Sequence, residues 1–297
     1  MKTKFKKVGF ADRLFDILNY TIMIIVLVAT IYPVIIMLSS SFSSAESLMA
    51  GKVKFLPVDF TVEGYKAVFK NESIWTGLKN SFFYMIVGTS VNMILTILAA
   101  YPLSREDFKP RGAIALIFAF TMWFSGGLIP TYLLVRDLDL LNNRLAMIIP
   151  TALNVWNMII IRTYFQSSIG KEMYEAARID GCSDYGYLWK IAVPLSKPAI
   201  AVVTLYYAVA HWNVFTQAYI YLQKPDLFPI QVVLRDILLM SQTQEMAGDV
   251  TSGTNARLLS ELLKYAVVII ASLPLVILYP FVQKYFVKGI MVGGVKG

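Results

Sequence analysis

The sequence contains one cysteine, Cys182, and one histidine, His211, among 297 residues. A lone cysteine excludes an internal disulfide framework and suits a reducing compartment. A lone histidine with no cysteine cluster offers no metal-ligand set, so no metal site is expected. Charge is scarce as well. Asp, Glu, Lys and Arg supply 15% of the chain and hydrophobic residues 57%, whereas soluble domains average roughly 25% charged residues. That is too little charge to coat a globule. The pattern G-x-x-x-x-G-K-[ST] is missing, so nothing cradles ATP phosphates and no cofactor is expected. No catalytic residue is assigned either: Ser168 and His211 lack a nucleophile motif and a third partner.

Long apolar runs are abundant. Uncharged stretches fall at residues 17–38, 80–104, 112–135, 145–161, 198–223 and 265–283, and about 20 mostly apolar residues cross a bilayer. The fold class this implies is an all-α polytopic membrane protein with six transmembrane helices. Gly and Pro inside several runs fit bundled membrane helices, whose neighbours satisfy freed backbone groups. The first run has a basic start but a long core and no clean small-residue cleavage site, so it reads as a retained helix.

Basic residues set the orientation. Lys2, Lys4, Lys6, Lys7 and Arg13 precede the first span; Arg105, Lys109 and Arg111 follow the second; Lys171, Arg178, Lys190 and Lys197 follow the fourth; Lys284, Lys288 and Lys296 follow the sixth. All would lie on one side, which places both termini in the cytoplasm. The expected layout is a cytoplasmic tail over 1–16, one transmembrane domain over 17–286 with a cytoplasmic loop over 167–197, and a tail over 287–297. The net charge of +8 is accounted for by cytoplasmic anchoring and anionic membrane lipid, with no nucleic-acid partner.

The loop between spans four and five carries "EAARIDGCSDYGYLWKIAVP", residues 175–194. "KEMYEAARIDG" favours a short helix that Gly181 is placed to end. A second helical piece, "DYGYLWKIAV", runs to Pro194. Met173, Ala176, Ala177 and Asp180 lie at helical spacing on one side, with Glu175 able to meet a basic residue. On physical grounds this is either an amphipathic element lying on headgroups or a docking knob.

The segment resembles the EAA loop of bacterial ABC-importer permeases: E-A-A, three residues, G, nine residues, I-x-L-P. Here Glu175-Ala176-Ala177 is followed by Gly181 and Ile191-Ala192-Val193-Pro194, departing only at Val193. "FLPVDFTVEGYKAVF", "NSFFYMIVGTSVNMILTILAAYPLSR", "SGGLIPTYLLVRDLDLLNN", "PLSKPAIAVVTLYYAVAHWN" and "KYFVKGIMVGGVKG" extend the likeness to maltose-type carbohydrate permeases. The resemblance implies the smaller, six-helix partner of an ATP-driven importer in a bacterial plasma membrane. It would pair with a second, different permease, two ABC ATPase subunits and an extracellular solute-binding protein, and carry a carbohydrate, in particular an oligosaccharide. Met173, Glu175, Ala176, Ala177, Asp180 and Gly181 would then form the coupling helix that docks in the ATPase. Alternating access would follow from two arrangements of the helix bundles, biased by ATP and the loaded binding protein.

Polar residues inside the spans are either substrate contacts or glue between helices. Asn154 and Asn157 share a face of the fourth span beside Trp156, after a kink at Pro150. Trp212, Asn213 and Gln217 lie on the fifth, with Asn213, Thr216 and Gln217 expected together on one side of the helix. Aromatic faces and amides suit a sugar, whose rings stack and whose hydroxyls accept hydrogen bonds. His211 is expected to be hydrogen-bonded within the bundle, and Arg162 to reach for headgroups. The outer segment 223–263 reads as an amphipathic helix and a loop over 247–255, "AGDVTSGTN", lying on lipid or facing the binding protein. Two further readings stay open. A peptide or another small solute could replace the sugar. A secondary transporter would need ionisable residues in mid-membrane, where only His211 qualifies.

Overall fold

A computed structural model describes residues 9–247 and 254–293, and every regular element among them is helical. Phe10–Ser41, Glu72–Ser104 and Leu258–Pro280 are each long and apolar enough to cross a membrane. Three more stretches reach that length only as bent pairs: Arg111–Trp123 with Leu128–Asp137 at 112°, Arg144–Thr151 with Val155–Ser168 at 51°, and Asp184–Leu195 with Lys197–Trp212 at 83°. The apolar runs therefore become helices, but the third and fourth are not straight rods, and the fifth begins as α12 just after a sharp bend from 184–195.

Contacts divide the chain into two compact units. The first takes its described residues from Met1–Lys70 and Ile237–Ile270. Its helix α1, Phe10–Ser41, leaves every side chain from Ile22 to Val28 55–62% exposed. A helix apolar all round and uncovered has lipid as its natural solvent. At its end Ser39, Ser40 and Ser41 turn inward. There the Ser39 hydroxyl donates to the Phe55 carbonyl at 2.7 Å, and Ser43 Oγ accepts the Val58 N–H at 3.0 Å. Helix α2, Ala45–Met49, starts at a Ser44 cap. Helix α3, Glu63–Lys70, comes close to other backbone at Gly64, where a β-carbon would sit 2.9 Å from the Leu262 oxygen.

The second unit comprises Asn71–Asp236 and the described part of Ala271–Gly297. Helix α4, Glu72–Phe83, starts at an Asn71 cap and passes through a π turn, Tyr84–Gly88, into α5, Thr89–Ser104. Helices α6, Arg111–Trp123, and α7, Leu128–Asp137, follow. They are parted at Gly127, whose φ of 83° is left-handed and open to glycine without strain. Two 3-10 turns, Arg144–Met147 and Ile149–Thr151, lead into α8, Val155–Ser168. Helix α9 is Lys171–Ile179 and α10 is Asp184–Tyr187; a π turn, Leu188–Ala192, then joins α11, Val193–Leu195. Helices α12, Lys197–Trp212, α13, Thr216–Tyr221, α14, Ile230–Ala247, and α15, Thr254–Gly293, complete the chain. The main core lies among α5, α8 and α12, where Met93, Ile97, Met158, Ile161, Val203 and Tyr207 are buried together.

Side chains satisfy the backbone where helices break. Beyond Pro150, Asn92 Nδ2 donates to the Thr151 carbonyl at 2.6 Å, and the Asn154 N–H donates to Tyr207 Oη at 3.1 Å. The same Tyr207 hydroxyl shares a hydrogen bond with the Thr96 hydroxyl, 2.7 Å away. The same service is done for 225–230. Asn80 Nδ2 donates to the Asp226 and Phe228 carbonyls, Tyr84 Oη donates to Leu227 O, and Ser81 Oγ accepts the Ile230 N–H. Hydrogen bonds of this kind contribute roughly 0.6 kcal/mol each in membrane bundles. The start of α14 is thus protein-covered: Ile230 and Val232 are buried, packed where Gly77 leaves room. The loop expected around 247–255 lies largely outside the described residues.

His211 fills the space opened by the π turn. Its Nε2–H donates to Asn92 Oδ1 at 3.0 Å, since the Asn92 amide nitrogen is already committed to Thr151. A β-carbon on Gly88 would lie 2.5 Å from the imidazole. Gly88→Val should therefore destabilise the protein by about 1–3 kcal/mol, read as a lower unfolding temperature of the detergent-purified chain. Gly112→Ala, where a β-carbon meets nothing within 4 Å, should leave that temperature unchanged or slightly raised.

Candidate functional site

The loop between α8 and α12 folds into a small, well-braced body. Helix α9 ends in a Schellman motif: the Gly181 N–H donates to Arg178 O at 3.0 Å and the Cys182 N–H donates to Ala177 O at 2.9 Å. Gly181 sits at φ 77°, which makes it the residue that turns the chain. Ser183 then caps α10, accepting the Gly186 N–H at 3.1 Å. Two short helices at an angle result, as the composition of the segment suggests.

An electrostatic brace holds α9 to its surroundings. The Arg105 guanidinium lies 3.2 Å from the centroid of the Tyr174 ring and grips Asp107 through two N–H donors at 3.1 and 3.2 Å. That hydrogen bond holds the Asp107 carboxyl below its ordinary range. Tyr174 Oη donates to Asp184 Oδ1 at 2.6 Å, which pushes the phenol upward, and Arg178 stands 3.9 Å from the same carboxylate. Beneath, Tyr174 meets Tyr187 edge-on with centroids 5.1 Å apart; burial raises the Tyr187 hydroxyl pKa. Tyr187 and Ala177 are both buried in the main core.

The outward surface of this body carries apolar groups. Met173 is 43% exposed, Ile179 87% and Tyr185 72%, and Ala176 and Asp180 are also exposed. Glu175 is exposed and lies 3.8 Å from Lys171, one helical turn before it. Ala177 is the exception among the six positions singled out from the sequence. It faces inward at 8% exposure, because one residue step turns the helix by about 100° and Ala176 already points out. Ile179 and Tyr185 escaped the sequence reading. Both are ordinary helix residues by type, and only the bracing of the opposite face marks them as uncovered.

The polar residues of the spans divide. Asn154 is the cap of α8, its Oδ1 accepting the Asn157 N–H at 3.1 Å; the pair is local helix chemistry as well as a shared face. Asn157 is buried, whereas Trp156 is exposed at 61%. Trp212 is fully buried and donates Nε1–H to the Ala271 carbonyl at 3.0 Å. Helix α12 stops at Trp212, with Asn213 as its cap, so the helical spacing expected to align 213, 216 and 217 does not hold. Asn213 is exposed and Gln217 half-buried. Near them Phe215 and Tyr219 stack at 5.8 Å, with the Arg235 guanidinium 4.4 Å from the Tyr219 centroid. Arg162 donates Nε–H to Leu103 O at 3.0 Å rather than reaching for headgroups alone. Glu261 and Lys264, 3.8 Å apart, lie near the start of the apolar stretch Leu258–Pro280.

The family model described as "Binding-protein-dependent transport system inner membrane component" matches residues 3–292. The chain belongs to that family. It is 40% identical over 287 residues to the polygalacturonan/rhamnogalacturonan transport system permease protein YtcP of Bacillus subtilis strain 168, covering 96% of this chain and 99% of YtcP. It is 40% identical to protein LplC of the same organism, covering 97% and 96%. The crystal structure of a bacterial ABC transporter involved in importing the acidic polysaccharide alginate contains a chain that superposes with a TM-score of 0.85 at 35% identity. That match covers 96% of this chain and all of the other. A separate arabinooligosaccharide permease, AraQ of Halalkalibacterium halodurans, is 28% identical over 272 residues.

The brace and the turn make different contributions to α9. Gly181→Ala places a β-carbon in open space but forces a left-handed backbone, at about 1–2 kcal/mol. Tyr174→Phe removes the bond to Asp184, at about 1 kcal/mol. Both should speed amide hydrogen exchange over 171–187 while exchange in α5 and α8 stays as in the parent.

Proposed function

We propose that this chain is the smaller permease subunit of an ATP-driven importer of oligosaccharides. It forms half of a translocation pathway with a second, different permease. Membership of a binding-protein-dependent transport family supports this, together with relatives named for polygalacturonan/rhamnogalacturonan, arabinooligosaccharides and alginate. In this reading six apolar segments cross the bacterial plasma membrane, the fifth beginning at α12 beyond the cytoplasmic loop 167–197, and both termini are cytoplasmic. The permease domain occupies 17–286, between short tails over 1–16 and 287–297. ATP is hydrolysed on two partner subunits, and an extracellular solute-binding protein delivers the sugar.

The observation that carries the reading is the body around α9, whose inner face is fixed by the Arg105–Tyr174–Asp184 brace and whose outer face offers Met173, Ala176, Ile179 and Asp180 uncovered. A rigid knob of this kind transmits force from a partner to α8 and α12, between which it is inserted. Met173, Glu175, Ala176 and Asp180 touch the ATPase, Gly181 sets the angle, and Ala177 seats the helix on the core. Burying the Ile179 side chain in a cleft would contribute roughly 1.5–3 kcal/mol. On the outer side, Asn213 and Gln217 face the sugar path, Asn154 and Asn157 hold the bend of α8, and Trp212 anchors α12.

Co-purification and uptake test these roles together. Ile179→Asp should reduce ATPase recovered with the membrane complex by about tenfold or more, and Glu175→Ala should reduce it less. Asn213→Ala and Gln217→Ala should retain the ATPase yet lower uptake of labelled oligosaccharide. Normal ATPase recovery and uptake in all four would contradict the assignment.

A further inference from the structure

A cavity of about 630 Å³ opens beside the α9 body, bounded by the loop 104–112, the end of α8 and the start of α9. Its charges do not cancel. Arg105 is taken up by Asp107 and Tyr174, and Lys171 stands beside Glu175. Among the described residues, Arg111 and Arg162 have no carboxylate partner. Arg111 donates one N–H to the Arg105 carbonyl at 3.2 Å, and Arg162 donates one to the Leu103 carbonyl at 3.0 Å. A carbonyl accepts a hydrogen bond but neutralises no charge, and each guanidinium has five N–H donors. Glu106, the remaining acid on the lining, is exposed. Tyr101 also lines the cavity, and its hydroxyl is shielded from solvent with no hydrogen-bond partner among the described residues.

Two half-buried guanidinium forks and a phenol around one cavity suit an oxyanion with several acceptor oxygens, which planar guanidinium binds through paired bonds. The cavity is larger than a bare ion needs and lies in the range that holds small organic ligands. Phe165, Ile169 and Tyr187 supply an apolar wall. We propose that this cavity binds a phosphate ester, with its phosphate between Arg111 and Arg162 and its carbon portion on the aromatic wall. Two sources share that chemistry: the glycerophosphate headgroup of an anionic phospholipid, and a soluble phosphomonoester. Either would tie the loop 104–112 to the base of α9 and stiffen the knob. The site rests on the cavity and its charges and would stand whatever solute the protein carries.

Hydrogen exchange of the purified membrane complex in lipid nanodiscs tests it. In phosphatidylcholine discs the parent should exchange readily over 104–112 and 171–175. Adding phosphatidylglycerol to the discs, or glycerol 3-phosphate to phosphatidylcholine discs, should slow that exchange. Slowing by the first alone identifies the lipid as the source, and slowing by the second identifies a soluble ester. Arg111→Gln and Arg162→Gln should each weaken the concentration dependence about tenfold, and Arg136→Gln, outside the cavity, should not. No slowing by either phosphate source would overturn the proposal. So would equal slowing by sodium sulfate at matched ionic strength, or an unchanged response in the Arg111→Gln/Arg162→Gln double variant. The parent measurement decides the matter even if a variant fails to assemble.

Discussion

Lipid offers no hydrogen bonds, so each backbone group released where an apolar helix bends has to find a partner inside the protein. The bends of this chain depend on that constraint. At the Pro150 break the partners are Asn92 and Tyr207; at 225–230 they are Asn80, Tyr84 and Ser81. These side chains come from α4, the π turn, α5 and α12, so each irregular segment is fixed by helices distant in sequence. Polar residues in apolar spans are thereby accounted for as structure before any of them is asked to bind a solute. Asn213 and Gln217 remain outside these networks, which is what directs attention to them.

The same reasoning explains the π turn at Tyr84–Gly88. One extra residue in the turn widens the helix, and the widened side admits the His211 ring against Gly88. His211 in turn orients Asn92, whose amide then serves the broken strand of backbone at Thr151. Such insertions recur at functional positions in helices, and here the insertion joins α5 to α12, the helix that leads out of the α9 body.

Apolar run length made the spans legible, because crossing a bilayer requires it. Pro150 also announced its break, whereas the one at Gly127 was not read from the sequence. The end of α12 at Trp212 did not: "AHWNVFTQ" contains neither Gly nor Pro, and the stop depends on tertiary packing around Trp212 and Ala271. In the α9 body, the E-A-A spacing and Gly181 identified the helix and its turn. The inward side of Ala177 and the exposure of Ile179 were not legible, since they depend on Tyr174, Tyr187 and Arg105 covering one face. The Arg105–Tyr174 contact joins loops far apart in sequence, and no local pattern encodes it.

A knob is useful for coupling only if it is stiff, accessible from the cytoplasm and covered by a partner. The α9 body is braced on one side and bare on the other. Residue 179 is the most informative position on it, at 87% exposure. A single reactive cysteine there, made by Ile179→Cys in a Cys182→Ser background, can be labelled with a membrane-impermeant maleimide. In inside-out vesicles stripped of peripheral ATPase it should label rapidly, and restoring the ATPase should protect it; right-side-out vesicles should leave it unlabelled. Labelling from the outside, or equal labelling with and without the ATPase, would contradict the account.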